Sequence, residues 1–184
     1  MELTLAVIAG GAGRRLGGRV KGLLEVSGRP IMERLLELAG PADAVLIVTQ
    51  TPEAFARFGQ PMVCDLVPDK GAPGGVVTAL FHARTEWVFA VASDMPLLER
   101  AHLDALVRAA SERVDVVVAT RDGSLEPLCA LYRRSLVTSW QPALDANPSL
   151  RALIVQVAHV CVALPAGVLE SVNTPEDLVR LGVR

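Results

Sequence analysis

The densest chemistry in the sequence lies between Gly10 and Lys21. There, Gly10-Gly11-Ala12-Gly13-Arg14-Arg15-Leu16-Gly17-Gly18-Arg19-Val20-Lys21 packs five glycines and four cations into twelve residues. Glycine lets a backbone curl until successive N–H groups converge on anionic oxygens, and Arg and Lys neutralise a polyphosphate by bidentate and point-charge contact. The stretch therefore reads as a phosphate site, although the glycines alone fit an irregular surface turn with solvated arginines equally well. Two common nucleotide motifs fail. A Gly-x-Gly-x-x-Gly reading from Gly11 meets Leu16 in place of the last glycine, and a Gly-x-x-x-x-Gly-Lys reading from Gly13 meets Arg19 after Gly18. Dinucleotide oxidoreductases and P-loop NTPases are demoted on that ground.

A second group of candidates is acidic. Asp94 follows the apolar run Trp87–Ala92 and precedes Met95-Pro96. A carboxylate at the end of a buried strand, opposite a cationic phosphate loop, could hold Mg²⁺ while the ion bridges phosphate oxygens. By residue type alone it could equally cap a turn or helix. Asp65 and Asp69 lie in Cys64-Asp65 and Asp69-Lys70-Gly71-Ala72-Pro73-Gly74-Gly75. Gly74-Gly75 open a helical pattern, so they either bring backbone close to a ligand or form a plain helix-starting turn. In Val172-Asn173-Thr174-Pro175-Glu176-Asp177-Leu178, Thr174 reads as an N-cap, Pro175 as the first helical residue and Asp177 as a capping-box acid. Asn173 has no part in that cap. Cys64, Cys129 and Cys161 show no metal or redox spacing and are expected to be buried thiols. His82, His102 and His159 lack a Ser or Cys motif beside them, so a hydrolase triad has no support.

These residues need a scaffold. Apolar, β-rich runs recur at Leu3–Ala9, Ala44–Val48, Trp87–Ala92, Val114–Ala119 and Val157–Leu164, mostly continuous, as in strands buried on both faces. Amphipathic segments at Ile31–Ala39, Gly75–Ala83, Ala101–Ala110, Ser135–Leu144 and Pro175–Leu181 alternate with them. The alternation predicts an α/β fold, a Rossmann-like, mostly parallel sheet with helices on both faces in three layers. Ligands of such sheets gather beyond the carboxyl ends of strands. The loops after the first strand, after Trp87–Ala92 and after the last strand are where the glycine-rich loop, Asp94 and Asn173 fall.

A length of 184 residues suits one compact domain, so residues 1–184 are read as a single unit. A formal charge of −2 gives no global basic field, which argues against nucleic acid as a partner. Hydrophobic residues make up 51% and aromatics only 4%, which predicts a folded core of Val, Leu, Ala and Ile. No apolar run approaches the ~18 residues needed to span a bilayer and no charged leader precedes the first strand, so a cytoplasmic protein without membrane contact is expected.

The stretch Ile8-Ala9-Gly10-Gly11-Ala12-Gly13-Arg14-Arg15-Leu16-Gly17, then Lys21-Gly22-Leu23-Leu24 and Gly28-Arg29-Pro30-Ile31, resembles the nucleotidyltransferase signature Leu-Ala-Gly-Gly-x-x-x-Arg-Met-Gly…Lys-x-Leu-Leu. The Ala-Gly-Gly form is similar to the molybdenum cofactor guanylyltransferases, whose fold is nucleotide-diphospho-sugar transferase-like, and the resemblance spans nearly the whole chain. Two positions depart from the pattern. Val20 stands where the family usually has Asp before the lysine, and Ser171 replaces the first Asn of an Asn-x-Asn-Thr-Pro motif whose second Asn is Asn173.

The resemblance implies an enzyme that transfers GMP from GTP to the terminal phosphate of molybdopterin, or molybdenum cofactor, and releases pyrophosphate. It makes Asp94 the Mg²⁺ ligand. It assigns Ile8, Ala9, Gly10, Gly11, Ala12, Gly13, Arg15, Lys21, Asp65, Asp69, Gly75 and Asp94 to the nucleotide, with Arg15, Lys21 and Asp94 catalytic. Asp65 best matches the acid that reads guanine, and Asp69 is held in reserve. Asn173 and Ser171 fall on the acceptor side, and Glu126–Tyr132 is similar to a strand that walls that site, though it reads first as a half-buried strand. Other cofactor-biosynthesis proteins or acceptor molybdoenzymes are the partners such an enzyme implies. The alternatives are a sister cytidylyltransferase, a sugar- or polyol-phosphate nucleotidyltransferase and a nucleotide-binding regulatory module without turnover. The joint presence of Arg15, Lys21 and Asp94 speaks against the last.

Overall fold

The computed structural model describes residues 1–10, 17–40, 43–165 and 167–182. Its frame is a seven-stranded sheet. The strands are β1 (Leu3–Ile8), β4 (Ala44–Val48), β5 (Met62–Val63), β6 (Trp87–Ala92), β7 (Val116–Arg121), β8 (Ser124–Arg133) and β9 (His159–Ala163), in the order β5-β4-β1-β6-β8-β7-β9. β5, β4, β1 and β6 pair in parallel, β8 runs antiparallel between β6 and β7, and β9 returns parallel to β7. A two-residue hairpin, β2 (Glu25–Val26) with β3 (Arg29–Pro30), stands apart. The expected mostly parallel α/β architecture is the one observed.

Alternation along each strand divides the core in two. Leu3, Leu5 and Val7 of β1 point to one cluster, with Ile31, Met32 and Leu35 of α1 (Ile31–Leu36) and Leu103 and Leu106 of α4 (Arg100–Ala109). Ala6 and Ile8 point to the other, with Val76, Val77 and Leu80 of α3 (Gly71–His82), Trp140 of α5 (Val137–Ala143) and Leu153 and Ile154 of α6 (Leu150–Ile154). Three layers result, because a sheet with two apolar faces must be covered on both.

Register places the site. Ile8 is level with Val48 and with Ala92. Ala9 N donates to Val48 O at 2.8 Å and Ser93 N to Ile8 O at 3.2 Å, which carries the ladder one residue past the strands. The three loops that follow β1, β4 and β6 therefore leave the sheet at the carboxyl end of these parallel strands and at one height.

Several expectations are corrected. α3 begins at Gly71, not Gly75, so Gly74 and Gly75 lie inside the helix; Pro73 is tolerated because first-turn N–H groups have no intrahelical acceptor. Cys129 is buried, and burial pushes its thiol up to about 12, but Cys64 and Cys161 are exposed. Cys64 follows the edge strand β5, and Cys161 sits in β9, which is not buried on both faces but forms the other edge. Two short helices were not anticipated, α2 (Pro52–Phe55) and α6, which Ser149 caps by accepting from Ala152 N at 3.1 Å.

Candidate active site

Lys21 begins a 3-10 turn, Lys21–Leu23, closed by Leu24 N donating to Lys21 O at 3.0 Å. Gly22 brings this turn close to α2: a Cβ there would lie 3.0 Å from Phe55 Cε1 and 3.4 Å from Met32 Cε, so a larger residue would require those side chains to give way. The Lys21 ammonium leaves the turn to meet Asp94 Oδ2 at 2.8 Å and Asn173 Oδ1 at 2.6 Å. Residues 73 and 152 positions away in sequence thus converge on one ammonium. Val20 offers Lys21 no acid; instead it packs on the first core cluster, and Asp94 supplies the carboxylate from across the sheet.

Asp94 occupies the turn after β6, its side chain 16% exposed. Val172 N donates to Asp94 O at 2.9 Å, and this bond draws the segment after β9 back over the site. Asn173 is set by its neighbour Asp177 at the start of α7 (Pro175–Arg180). Asp177 Oδ2 accepts from Asn173 N and from Thr174 N, both at 2.9 Å, and Thr174 Oγ1 accepts from Asp177 N at 3.3 Å. Asp177 is held below the usual carboxylate range by the Asn173 backbone bond first, with the Thr174 bonds and the Lys21 charge adding to it. The predicted cap is present, and its acid also anchors Asn173.

Two cavities adjoin this junction. The first, about 350 Å³, is lined by Ile8, Gly10, Gln50, Asp65, Asp69 and Gly75 among others. A Cβ on Gly75 would come within 2.7 Å of Ile8 Cγ2 and 3.8 Å of Asp65 Oδ1, so glycine is what allows α3 to sit against this wall. Asp65 is half-buried, and burial raises its carboxyl above the usual range while a Gln50 hydrogen bond pulls the other way. Asp69 sits on the rim, exposed and with a left-handed φ of 61°. The second cavity, about 400 Å³, is lined by Asp94, Glu126, Pro127, Arg151, Ser171 and Asn173 among others. Ala72 and Leu128 line both, so the two cavities adjoin.

The structure therefore brings Ile8, Gly10, Asp65, Asp69 and Gly75 to one cavity and Asp94, Ser171 and Asn173 to the next, with Lys21 on Asp94 and Asn173. Ala9 continues the ladder on β4. Gly11, Ala12, Gly13 and Arg15 lie outside the described residues. Gln50 and Arg151 were not anticipated: Gln50 follows a strand predicted from the sequence, and Arg151 follows Ser149, an N-cap type, so both had a positional signal. Among the described residues no cluster of three or more His, Cys, Asp or Glu could hold a metal ion. Asp94 is the carboxylate on the Lys21 ammonium, with Asp177 engaged by two backbone N–H groups and Glu126 on the wall of the cavity that Asp94 lines. Asp94 is therefore the residue that could hold a Mg²⁺ ion, which binds through one or two carboxylates plus substrate phosphates.

Residues 5–160 match the MobA-like NTP transferase domain family. A probable molybdenum cofactor guanylyltransferase of Carboxydothermus hydrogenoformans is 30% identical over 189 residues, covering 98% of this chain and 95% of its own. A molybdenum cofactor guanylyltransferase of Pseudomonas syringae pv. syringae is 32% identical over 182 residues, covering 94% and 89%. The crystal structure of molybdopterin-guanine dinucleotide biosynthesis protein A from Archaeoglobus fulgidus superposes with a TM-score of 0.78 at 24% identity, covering 97% of this chain and 96% of that one, and shares the fold. The chain belongs to the MobA-like NTP transferase domain family.

Proposed function

We propose that this nucleotidyltransferase moves GMP from GTP to the terminal phosphate of molybdopterin. The observation that carries the proposal is the adjacency of the cavity with Asp65 and Gln50 to the cavity at the Lys21, Asp94 and Asn173 junction. Guanine offers N1–H and a 2-amino group as donors on one edge and O6 as an acceptor beside them. The Asp65 carboxylate accepts from the two donors, and the Gln50 amide donates to O6.

In the reaction an oxygen of the acceptor phosphate forms a bond to the α-phosphorus of GTP, the bond from that phosphorus to the bridging oxygen breaks, and pyrophosphate leaves. The nucleophile is already anionic, so the work is positioning and charge neutralisation, without a general base. Lys21 turns from Asp94 to the polyphosphate, and the resemblance of the Gly10–Gly13 stretch and Arg15 to the nucleotidyltransferase signature assigns them to the same phosphates. Asn173, Ser171 and Arg151 hold the acceptor phosphate and its polar ring. Asp94 would hold Mg²⁺, which would supply neutralisation of the negative charge that develops on the phosphates. Pyrophosphate release measured from each nucleoside triphosphate, with and without molybdopterin, tests the proposal. GTP alone, and only with the acceptor present, is the expected pair. Preference for CTP would retain the transferase and overturn the guanylyl reading.

A further inference from the structure

The two edges of the sheet are built differently. β5 has two residues, Met62 and Val63, and follows Pro61, features that leave little backbone to template another strand. β9 has five residues, His159–Ala163, with no Asp, Glu, Lys, Arg or Pro among them. Val160, Cys161 and Ala163 are exposed, Val160 at 37%. An edge strand without charge, proline or a bulge lacks the devices that keep such edges from pairing.

Register fixes which backbone groups of β9 have no strand partner among the described residues. β9 pairs with β7 from Val116↔His159 to Thr120↔Ala163. Val116 N donates to Ala158 O, and Leu164 N donates to Thr120 O. Even-numbered residues therefore turn their N–H and C=O toward β7. The N–H and C=O groups of His159, Cys161 and Ala163 point away from the sheet, since alternate residues of a strand face opposite neighbours.

We propose that β9 pairs antiparallel with β9 of a second copy of this chain, about a two-fold axis at Cys161. Hydrogen-bonded pairs in an antiparallel ladder recur every second residue, and His159, Cys161 and Ala163 are so spaced with Cys161 at the centre. Centring there sets Cys161 opposite its own copy and His159 opposite Ala163 of the second copy. Every outward donor then meets an acceptor. No like charges face one another, because the strand carries none and the two His159 side chains are not paired. A two-fold contact of one patch with itself is the commonest form of self-association. β9 runs in the same direction as β6, so the axis directs the two clefts to opposite ends of the joined sheet and leaves both open.

Sedimentation velocity on the intact chain over a concentration series tests this, with a monomer-to-dimer shift expected. Cys161→Pro removes the outward N–H without touching the β7 ladder. Because Cys161 faces its own copy, two hydrogen bonds of the proposed ladder are lost, one from each chain, and self-association should weaken about tenfold or more. Val160→Lys adds a charge to the exposed edge and should do the same, with circular dichroism and melting confirming that both variants fold. In a Cys64→Ser background a short bis-maleimide should link two chains through Cys161, since Cys129 is buried. A monomer at every concentration overturns the proposal, as does a dimer that survives both Cys161→Pro and Val160→Lys.

Discussion

The two cavities that meet at Ala72 and Leu128 are organised on opposite electrostatic terms. In the base cavity Asp65 has no cationic partner among the described residues, and burial makes its charge costly. At the acceptor junction each charge is already matched: Lys21 on Asp94 and Asn173, Asp177 on two backbone N–H groups. The first site is completed by a ligand that brings N–H donors, so it suits selection among bases. The second is preorganised and must exchange partners when substrates arrive, so it suits the alignment of two anions. Selectivity and turnover should therefore separate on substitution.

The largest effect is expected from Asp94→Ala. Pyrophosphate release should fall by on the order of 10²–10³-fold or more, and nucleotide binding should lose its Mg²⁺ dependence. Stability should change little, because a partly exposed ion pair contributes about 0–1 kcal/mol. Unchanged release would move the ion away from this junction and remove the contrast between the cavities.

Asp65→Asn should act on the other side. GTP affinity should drop about 10- to 100-fold, equivalent to about 1–3 kcal/mol, while CTP and UTP binding stays level in calorimetric titration. Because Asp65 is raised in the fold, its carboxylate costs stability above that raised value, and the cost vanishes as pH falls below the ordinary carboxylate pKa of about 3.9. The Asp65→Asn variant should thus melt above the parent at neutral pH, with the gap closing in acid. Wild-type GTP affinity should weaken as pH falls into the raised Asp65 range, sooner than for a solvent-exposed aspartate. A variant that loses every nucleotide equally would mean that Asp65 shapes the cavity without reading the base.

Much of this was legible in the residues. The runs at Ala44–Val48 and Trp87–Ala92 match β4 and β6 to the residue, because continuous apolar stretches mark strands covered on both faces. Thr174, Pro175 and Asp177 gave a cap that forms as read. What depended on partners remote in sequence was not legible. The apolar run at β9 looks like any buried strand, and only its position at the end of the sheet order makes Cys161 an exposed residue. The helical pattern read from Gly75 misses the first turn of α3, because Gly71 and Pro73 carry no apolar periodicity although a first helical turn accepts both. Val20 suggested a lysine lacking its acid, and no local pattern could reveal that Asp94 reaches it across the sheet.

The smallest contrasts lie within one loop. Asn173→Ala removes an acceptor of the Lys21 ammonium and, on the proposed reading, a contact to the acceptor substrate. It should lower kcat/KM for molybdopterin about 10-fold, within the range of a hydrogen bond to a charged group, with a smaller change in GTP affinity through the freed Lys21. Thr174→Ala removes only the oxygen that accepts from Asp177 N. It should cost about 0.5–2 kcal/mol in urea unfolding and leave both substrates' kinetics as they were, because α7 is short, its buried contacts are few and Asn173 keeps its own bond to Asp177. If the Asn173→Ala variant is destabilised yet kinetically normal, the loop serves the helix alone and the acceptor must be gripped from the opposite wall, where Arg151 and Glu126 face the same cavity. If Thr174→Ala slows transfer as Asn173→Ala does, the cap sets the position of Asn173, and the stability of α7 and the geometry of the junction are a single property.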